Sequence, residues 1–316
     1  MSAAAAILDC PMPTEQDMAD ELAGRVSRAT LIRRDEPLAK RTTLRVGGPA
    51  DVYVEPASEA DLAAVLKFCG QHGVKFFTLG RGSNLLVRDG GFRGVVICLA
   101  HPNFSHIQVV GVRLRCGAGA KLKQVAVEAK RRGLSGLEFL EGIPGSVGGA
   151  LRMNAGAMGG ATFDVVKAIR VMDYFGTVHE LVPGLFQVEY RCCPLLTNHI
   201  ALSVVFQGTS TPREAVERRM NEFSHKRWES QPAAPSAGCM FKNPAAMPAG
   251  KLIDELGLKG TRVGGAMVSV EHGNFIVNDG RATARDVLEL IELVKRCAKT
   301  ERGIELQPEV EIIGEV

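Results

Sequence analysis

Leu79-Gly80-Arg81-Gly82-Ser83-Asn84-Leu85 is the stretch that decides the fold. It follows at once on an apolar run, residues 74–79, which reads as a strand. Upstream, Val52-Tyr53-Val54 reads as a shorter strand that stops at Pro56. Between the two, Ser58 stands three residues before Asp61, the spacing of a helix N-cap. Leu62, Val65, Leu66 and Cys69 then recur at helical intervals ahead of Gly73. Strand, helix and strand within about thirty residues argue for a crossover unit. The glycine-rich turn sits at the end of its second strand. Successive N–H groups in such a turn form a concavity suited to phosphate oxygens.

A second stretch, Gly142-Ile143-Pro144-Gly145-Ser146-Val147-Gly148-Gly149, is richer still in glycine, and Asn154-Ala155-Gly156-Ala157 follows it. Neither stretch has the G-x-G-x-x-G spacing of a Rossmann turn or the Lys-Ser/Thr ending of a P-loop. Each alone is explained as well by a structural turn as by a phosphate cradle. Together, and with the third segment downstream, they favour a dinucleotide with two phosphates.

The remaining pattern mixes helices and strands. Leu122, Val125, Ala126 and Ala129 mark a helix closed by Gly133. Runs at 165–172, 177–181 and 200–206, separated by turns, predict an antiparallel sheet. Thr211, with Pro212 and Glu214, opens a helix that turns Val216, Met220 and Phe223 inward. The Pro/Ala/Ser stretch 231–237 reorients the chain, and 250–300 reads helix, strand, strand, helix, the last opening at Thr283 with Asp286. A short strand around 309–313 closes the chain. The class is α+β. Residues 1–26 read as a loose tail or marginal helix, with divisions expected at 27–103, 104–207, 208–304 and 305–316.

Composition narrows the function. The chain has 316 residues, 46% hydrophobic and 23% charged, an ordinary globular mixture. Its net charge is +3, and its basic clusters, Lys130-Arg131-Arg132 and Arg33-Arg34, are short. No nucleic-acid partner is expected. Eight cysteines include no C-x-x-C pair, which argues against a zinc site. No metal is expected, and the thiols read as reduced, as in a cytoplasm. The N-terminus lacks a basic region and Asp9 breaks its apolar run, a poor signal peptide. No apolar stretch reaches the roughly 18 residues of a membrane helix. A soluble, cytoplasmic monomer is the expectation.

Several segments in a fixed order carry a family resemblance. They are Thr43-Leu44-Arg45-Val46-Gly47-Gly48-Pro49-Ala50, the two glycine-rich stretches, Tyr190-Arg191, Ser236-Ala237-Gly238-Cys239-Met240-Phe241-Lys242-Asn243-Pro244, and Leu306-Gln307-Pro308-Glu309-Val310. Any one is weak, but in this order over roughly residues 40–313 the chain resembles the UDP-N-acetylenolpyruvoylglucosamine reductases of cell-wall precursor synthesis. The resemblance implies non-covalent FAD in a fold of the p-cresol methylhydroxylase type, as two subdomains plus a smaller substrate-binding domain. It implies NADPH as donor and UDP-N-acetylglucosamine enolpyruvate as substrate. Gly80, Arg81, Gly82, Ser83, Asn84, Leu85, Gly142, Ile143, Pro144, Gly145, Ser146, Gly148, Gly149, Asn154, Ala155 and Gly156 are then the cofactor-binding residues.

The implied chemistry needs a cation beside the substrate carboxylate and a positioned acid. Arg191 and Glu309 match the residues that stabilise the enolic intermediate. Cys239 stands where the family usually has a serine proton donor. A thiol is competent for that role, and in an open cleft it should also be easily alkylated. Tyr190, Arg227, Lys242, Asn243 and Asn274 are the expected substrate contacts. Tyrosine occurs only at 53, 174 and 190, so the chain looks like the shorter form without a tyrosine-bearing lid. Two other readings remain: a flavin oxidase of the same cofactor fold, and a non-catalytic nucleotide-binding protein.

Overall fold

The computed structural model describes residues 14–316. Residues 14–26 are not a loose tail. Thr14 opens helix α1 (Glu15–Arg25) with a reciprocal capping box to Asp17, and Met18, Ala19 and Leu22 are buried. They join the same apolar core as helix α2 (Glu59–His72). A stripe of three apolar residues in a charged segment has weak periodicity. Packing, not propensity, makes it a firm helix. Residues 1–13 of the expected tail lie outside the described residues.

Helix α2 forms as its cap predicts. Ser58 accepts from the N–H of Asp61, and Gly73 ends the helix in a left-handed turn. The flanking strands, Pro49–Glu55 and Phe76–Leu79, both run parallel to Phe92–Cys98, which lies between them. The crossover therefore skips one strand, and Leu31–Pro37 adds antiparallel at the outer edge. A second, antiparallel sheet orders Val178–Leu181, Val166–Asp173, His199–Gln207, Arg113–Gly117 and Ile107–Val110. Helices α3 (Leu122–Arg131), α4 (Val147–Arg152) and the first part of α5 (Arg213–Ser230) share one apolar core with both sheets. Thr211 does not cap α5. Pro212 holds that position without a side-chain bond, and the Thr211 hydroxyl instead meets Ser135 and Thr209.

A further antiparallel sheet joins Ser236–Cys239, Phe275–Asn278, Ala266–Val268 and the two-residue Arg262–Val263, a strand too short to read in the sequence. Helices α6 (Ala249–Glu255) and α7 (Ala284–Arg302) cover it and complete a second core, to which Leu44, Val46 and Leu86 also contribute. The Thr283–Asp286 capping box opens α7 as expected. Asp89 also accepts from the N–H groups of Ala284 and Arg285, 2.9 Å each, tying α7 to the turn after the first glycine-rich loop. The chain ends on Glu311–Ile313, parallel to Leu85–Val87. Among the described residues no helix is long and apolar enough to cross a membrane.

Leu22 is fully buried in α1. Leu22→Ala should lower the unfolding free energy by about 2–5 kcal/mol, the cost of a large-to-small change in a packed core. Urea unfolding measures it. A loss below about 1 kcal/mol would return α1 to the status of a surface appendage.

Candidate active site

A cavity of about 1410 Å³ is lined from both cores, and the first glycine-rich loop runs along its middle. Thr43 locks that loop to the strand bearing Cys239. Its N–H donates to the Gly82 carbonyl (3.2 Å) and its hydroxyl to the Ser236 carbonyl (2.7 Å). On the other side Gly80 faces Ser146. A Cβ at Gly80 would stand 2.7 Å from the Ser146 Oγ. The two glycine-rich loops therefore touch, and Ser146 turns its hydroxyl toward the N–H of Gly149 at the start of α4.

The glycines fall into two groups. Gly82 has φ of 60°, and a Cβ there would fall 2.7 Å from the Arg41 carbonyl oxygen and the Thr42 Cα. Gly148 is crowded by the Ala118 Cβ at 3.1 Å. Packing of the protein against itself requires these two and Gly80. Gly142, Gly145 and Gly149 are different. None is left-handed, and an added Cβ would lie no closer than 3.9, 3.5 and 3.5 Å to protein. All three line the cavity. Their bareness serves whatever lies in the cavity by letting it approach the backbone. Eight basic side chains line that cavity, Arg45, Arg81, Lys121 and Arg227 among them, against two carboxylates, Glu309 and Glu311. The donor set fits an anionic dinucleotide such as FAD.

Arg191, Cys239 and Glu309 all line this cavity. Arg191 sits in a tight turn in which Glu189 and Cys192 exchange backbone bonds. Its φ is 57°, where glycine is usual. Such strain costs on the order of 1–3 kcal/mol and marks a position held for a purpose. The guanidinium Nε donates to Glu309 Oε1 at 3.0 Å, which leaves its outer edge for another anion. Gly156 makes room for it, since a Cβ there would stand 3.2 Å from Nη1. Glu309 is fixed through its backbone: its N–H donates to the Met240 carbonyl (2.8 Å) and its carbonyl accepts from Asn84 Nδ2 (3.1 Å). Burial raises the Glu309 carboxyl above its ordinary range, and Arg191 and Lys242 oppose that. Cys239 follows a left-handed Gly238. Burial, aided by the Glu309 charge, pushes its thiol up to about 11, against the pull of Arg191 and Asn274. The thiol stays protonated near neutrality. The reactive thiolate is therefore scarce near neutrality, although the half-buried thiol lines both cavities.

Three expected ligand contacts, Asn154, Tyr190 and Lys242, lie outside the lining of both cavities, and a fourth, Asn274, lines only the smaller neighbouring one. Asn274 is buried, and its amide is spent on the Phe241 backbone, accepting from N–H at 2.9 Å and donating to the carbonyl at 2.8 Å. It shapes the Cys239 loop. Asn154 lies outside the cavity lining; its side chain accepts from the Phe163 N–H and donates to the Glu189 carbonyl, bracing the Arg191 turn. Tyr190 is also outside the lining, its ring 4.9 Å from the Arg191 guanidinium. Lys242 lines neither this cavity nor its neighbour; its N–H donates to the Gln307 carbonyl. Arg81, Ser83, Asn84, Leu85, Ile143, Pro144, Ala155 and Arg227 do line the main cavity. Asn243 lines a smaller one of about 340 Å³ that shares Cys239 and adds Lys251, Lys259 and His272. Burial and Lys259 lower the pKa of His272, and its Nδ1 accepts from the Asn274 N–H at 3.1 Å. Sequence reasoning missed Arg152, which lines the main cavity and pairs with Glu311 at 2.9 Å. No motif flags it, only its place five residues into the turn of α4.

The class of protein that this cradle fits, an FAD-dependent oxidoreductase, is shown by comparison with known families. A profile for an FAD binding domain matches residues 50–182, and one for the UDP-N-acetylenolpyruvoylglucosamine reductase C-terminal domain matches 231–313. The chain belongs to the UDP-N-acetylenolpyruvoylglucosamine reductase family. It is 44% identical over 299 residues to UDP-N-acetylenolpyruvoylglucosamine reductase 2 of Symbiobacterium thermophilum, covering 94% of this chain and 97% of that one. It is 42% identical to the reductase of Bacillus licheniformis over 90% of this chain and 94% of that protein. The crystal structure of the reductase from Thermus caldophilus superposes with a TM-score of 0.78 at 41% identity, covering 90% of this chain and 98% of that one.

The two groups of glycines should respond differently to substitution. Gly145→Ala with Gly149→Ala should leave the flavin-free fold close to its native melting temperature yet weaken FAD by at least about tenfold. Gly82→Val should instead destabilise the fold itself, by about 1–3 kcal/mol or more. Flavin retention on gel filtration and thermal melts separate the two. Full flavin retention in the double variant would show that the bare backbone does not face the cofactor.

Proposed function

We propose that the chain reduces the enolpyruvyl group of UDP-N-acetylglucosamine enolpyruvate to the corresponding lactyl ether, UDP-N-acetylmuramate, with NADPH as the electron donor. The observation that carries this reading is the Arg191–Glu309 pair facing the same cavity as a thiol held protonated. FAD, when bound, supplies the hydride and takes it from NADPH. In this reading residues 27–207 form the flavin-binding side and residues 208–304 the substrate-binding side, with 305–316 returning to the site.

The residues divide the chemistry as follows. Hydride arriving at the terminal carbon of the double bond leaves negative charge on the adjacent carbon and its carboxylate. The free edge of Arg191 holds that carboxylate through charge-assisted bonds and stabilises it as charge grows. Glu309 engages Nε, so the guanidinium cannot swing away. Cys239 gives its proton to the adjacent carbon. A pKa pushed up to about 11 makes it an acid present in its protonated form at neutral pH, and the enolate is basic enough to take the proton. The surplus of basic side chains draws in the nucleotide diphosphates of both substrates. The neighbouring cavity with Lys251, Lys259 and Asn243 is the natural place for the uridine end.

Arg191→Ala and Glu309→Ala should leave flavin reduction by NADPH nearly intact while slowing flavin reoxidation by the enolpyruvyl substrate by roughly 100-fold or more. Stopped-flow absorbance separates the two halves, and equal slowing of both would point to a damaged fold. Cys239→Ser should keep substantial reoxidation, and Cys239→Ala should lose most of it. The pH dependence has a definite sign. Because burial raises the thiol pKa, proton donation should persist through neutral pH and fail only as pH climbs toward 11, whereas alkylation of Cys239 should quicken about tenfold per pH unit over that climb. Peptide mass mapping reads the alkylation. A plateau in its rate near pH 8 would contradict a buried, protonated donor.

A further inference from the structure

The last turn of α5 carries a side chain that none of this chemistry uses. Trp228 is the one tryptophan of the chain. It is 68% exposed, yet it lines the main cavity. Helix α5 buries Val216 and Met220 near its start, so by Trp228 it has left the core and its ring stands free at the mouth. Arg227 lines the same wall, with Nη1 3.9 Å from where a Gly142 Cβ would be. Among the described residues it has no carboxylate within salt-bridge distance. Burial lowers its pKa, with only the more distant charge of Glu141 opposing. A partly desolvated cation without a counter-ion, next to an open aromatic face, is the pattern that recognises a phosphorylated nucleoside.

We propose that Trp228 and Arg227 form the subsite for the adenosine end of the reductant, the indole stacking on adenine and the guanidinium holding the 2′-phosphate. The inference rests on the reading that NADPH reduces the flavin. Four features favour this occupant over the flavin's own adenine or the uracil of the other substrate. A resident cofactor is held for the life of the protein and suits the part of the cavity lined by buried side chains such as Leu79, Leu99 and Ile200. A rim aromatic suits a ligand that enters and leaves at every turnover. The cavity, at about 1410 Å³, exceeds the usual range of about 300–1,000 Å³ for one small-molecule site. The uridine end has its own basic cavity on the far side of Cys239. The larger purine ring also gains more from stacking on indole than a pyrimidine does.

The single tryptophan makes the test direct. In the flavin-loaded protein, 2′,5′-ADP should protect the Trp228 emission from acrylamide quenching. 5′-ADP should need about ten times the concentration, and Arg227→Ala should abolish that difference. Trp228→Ala should raise the NADPH concentration for half-maximal flavin reduction about tenfold with little change in the rate at saturation, and Trp228→Phe should restore most of the loss. Protection by UDP but not by 2′,5′-ADP would overturn the assignment in favour of the uridine. Loss of flavin from Trp228→Ala with retention in Trp228→Phe would overturn it in favour of the cofactor's adenine. No protection and an unchanged half-maximal concentration would remove the subsite while leaving the overall reaction standing. Wild-type flavin that NADPH does not reduce at all would instead defeat the underlying reading.

Discussion

The site depends on how the last residues of the chain are threaded. Glu309 is gripped by its backbone from two sides, through the Met240 carbonyl and the Asn84 side chain, and two residues later the Glu311 N–H donates to the Asn84 carbonyl at 3.1 Å. Met240 follows Cys239, and Asn84 belongs to the first glycine-rich loop. One short segment thus fixes the distance between the acid, the carboxylate and the cofactor cradle. Asn274 extends the constraint. Its amide holds Phe241 by both backbone groups, and its carbonyl accepts from the Met240 N–H at 2.8 Å. Each grip ends on a backbone group, and breaking a buried one would leave a polar group unsatisfied. The side chains therefore arrive preorganised, without paying for order during the reaction.

Arg191 reaches the same point from another direction and under strain. Its left-handed backbone would be relieved by glycine, and the chain retains arginine. Asn154, itself at φ 38°, braces that turn by donating to the Glu189 carbonyl, and Tyr190 stacks beside the guanidinium. Gly156 clears its path. Three residues that look independent in the sequence serve one cation. That cation holds Glu309 and, in the proposed reaction, would offer its free edge to the substrate carboxylate.

Much of this was legible, and the failures have physical causes. Caps with a side-chain acceptor and a residue three positions on were read correctly at Ser58 and Thr283, because the signal is local. Thr211 shows the same letters, but its hydroxyl is drawn to Ser135, a partner 76 residues away that no local pattern reveals. Helix α1 was underrated because its three buried residues gain their stability from α2, not from their own spacing. The glycine-rich stretches announced a ligand, yet the sequence could not separate Gly82, required by the Arg41–Thr42 backbone, from Gly145, required by nothing in the protein. The residues Arg191, Cys239 and Glu309 were found by family likeness. The amides of Asn154 and Asn274 look alike in the sequence, yet Asn154 turns to the Glu189 carbonyl beside Arg191, whereas Asn274 holds the Phe241 backbone and also lines the smaller cavity, because a polar residue near a motif reads the same whether it faces the ligand or the loop that holds it.

A thiol in place of an alcohol changes what the site must provide. A serine hydroxyl is so weak an acid that its environment must work to loosen the proton. A cysteine in water loses half its protons near pH 8.5, so its environment must keep the proton on. Burial and the Glu309 carboxylate do that here, and Arg191 and Asn274 act against them. In the proposed reaction that balance would change. A substrate carboxylate paired with the free edge of Arg191 would partly cancel the cation's pull on the thiolate, and the thiol would become a still weaker acid in the ground state. Charge building on the carbon beside it would then draw off the same proton. In that reading the proton is held most firmly before hydride arrives and released only once there is a base to take it. A donor whose resting pKa lay near 7 would be half ionised at neutral pH and would place a second negative charge beside the substrate carboxylate. Partial burial beside the Glu309 carboxylate is what allows a more acidic group to stand at the position proposed for a proton donor.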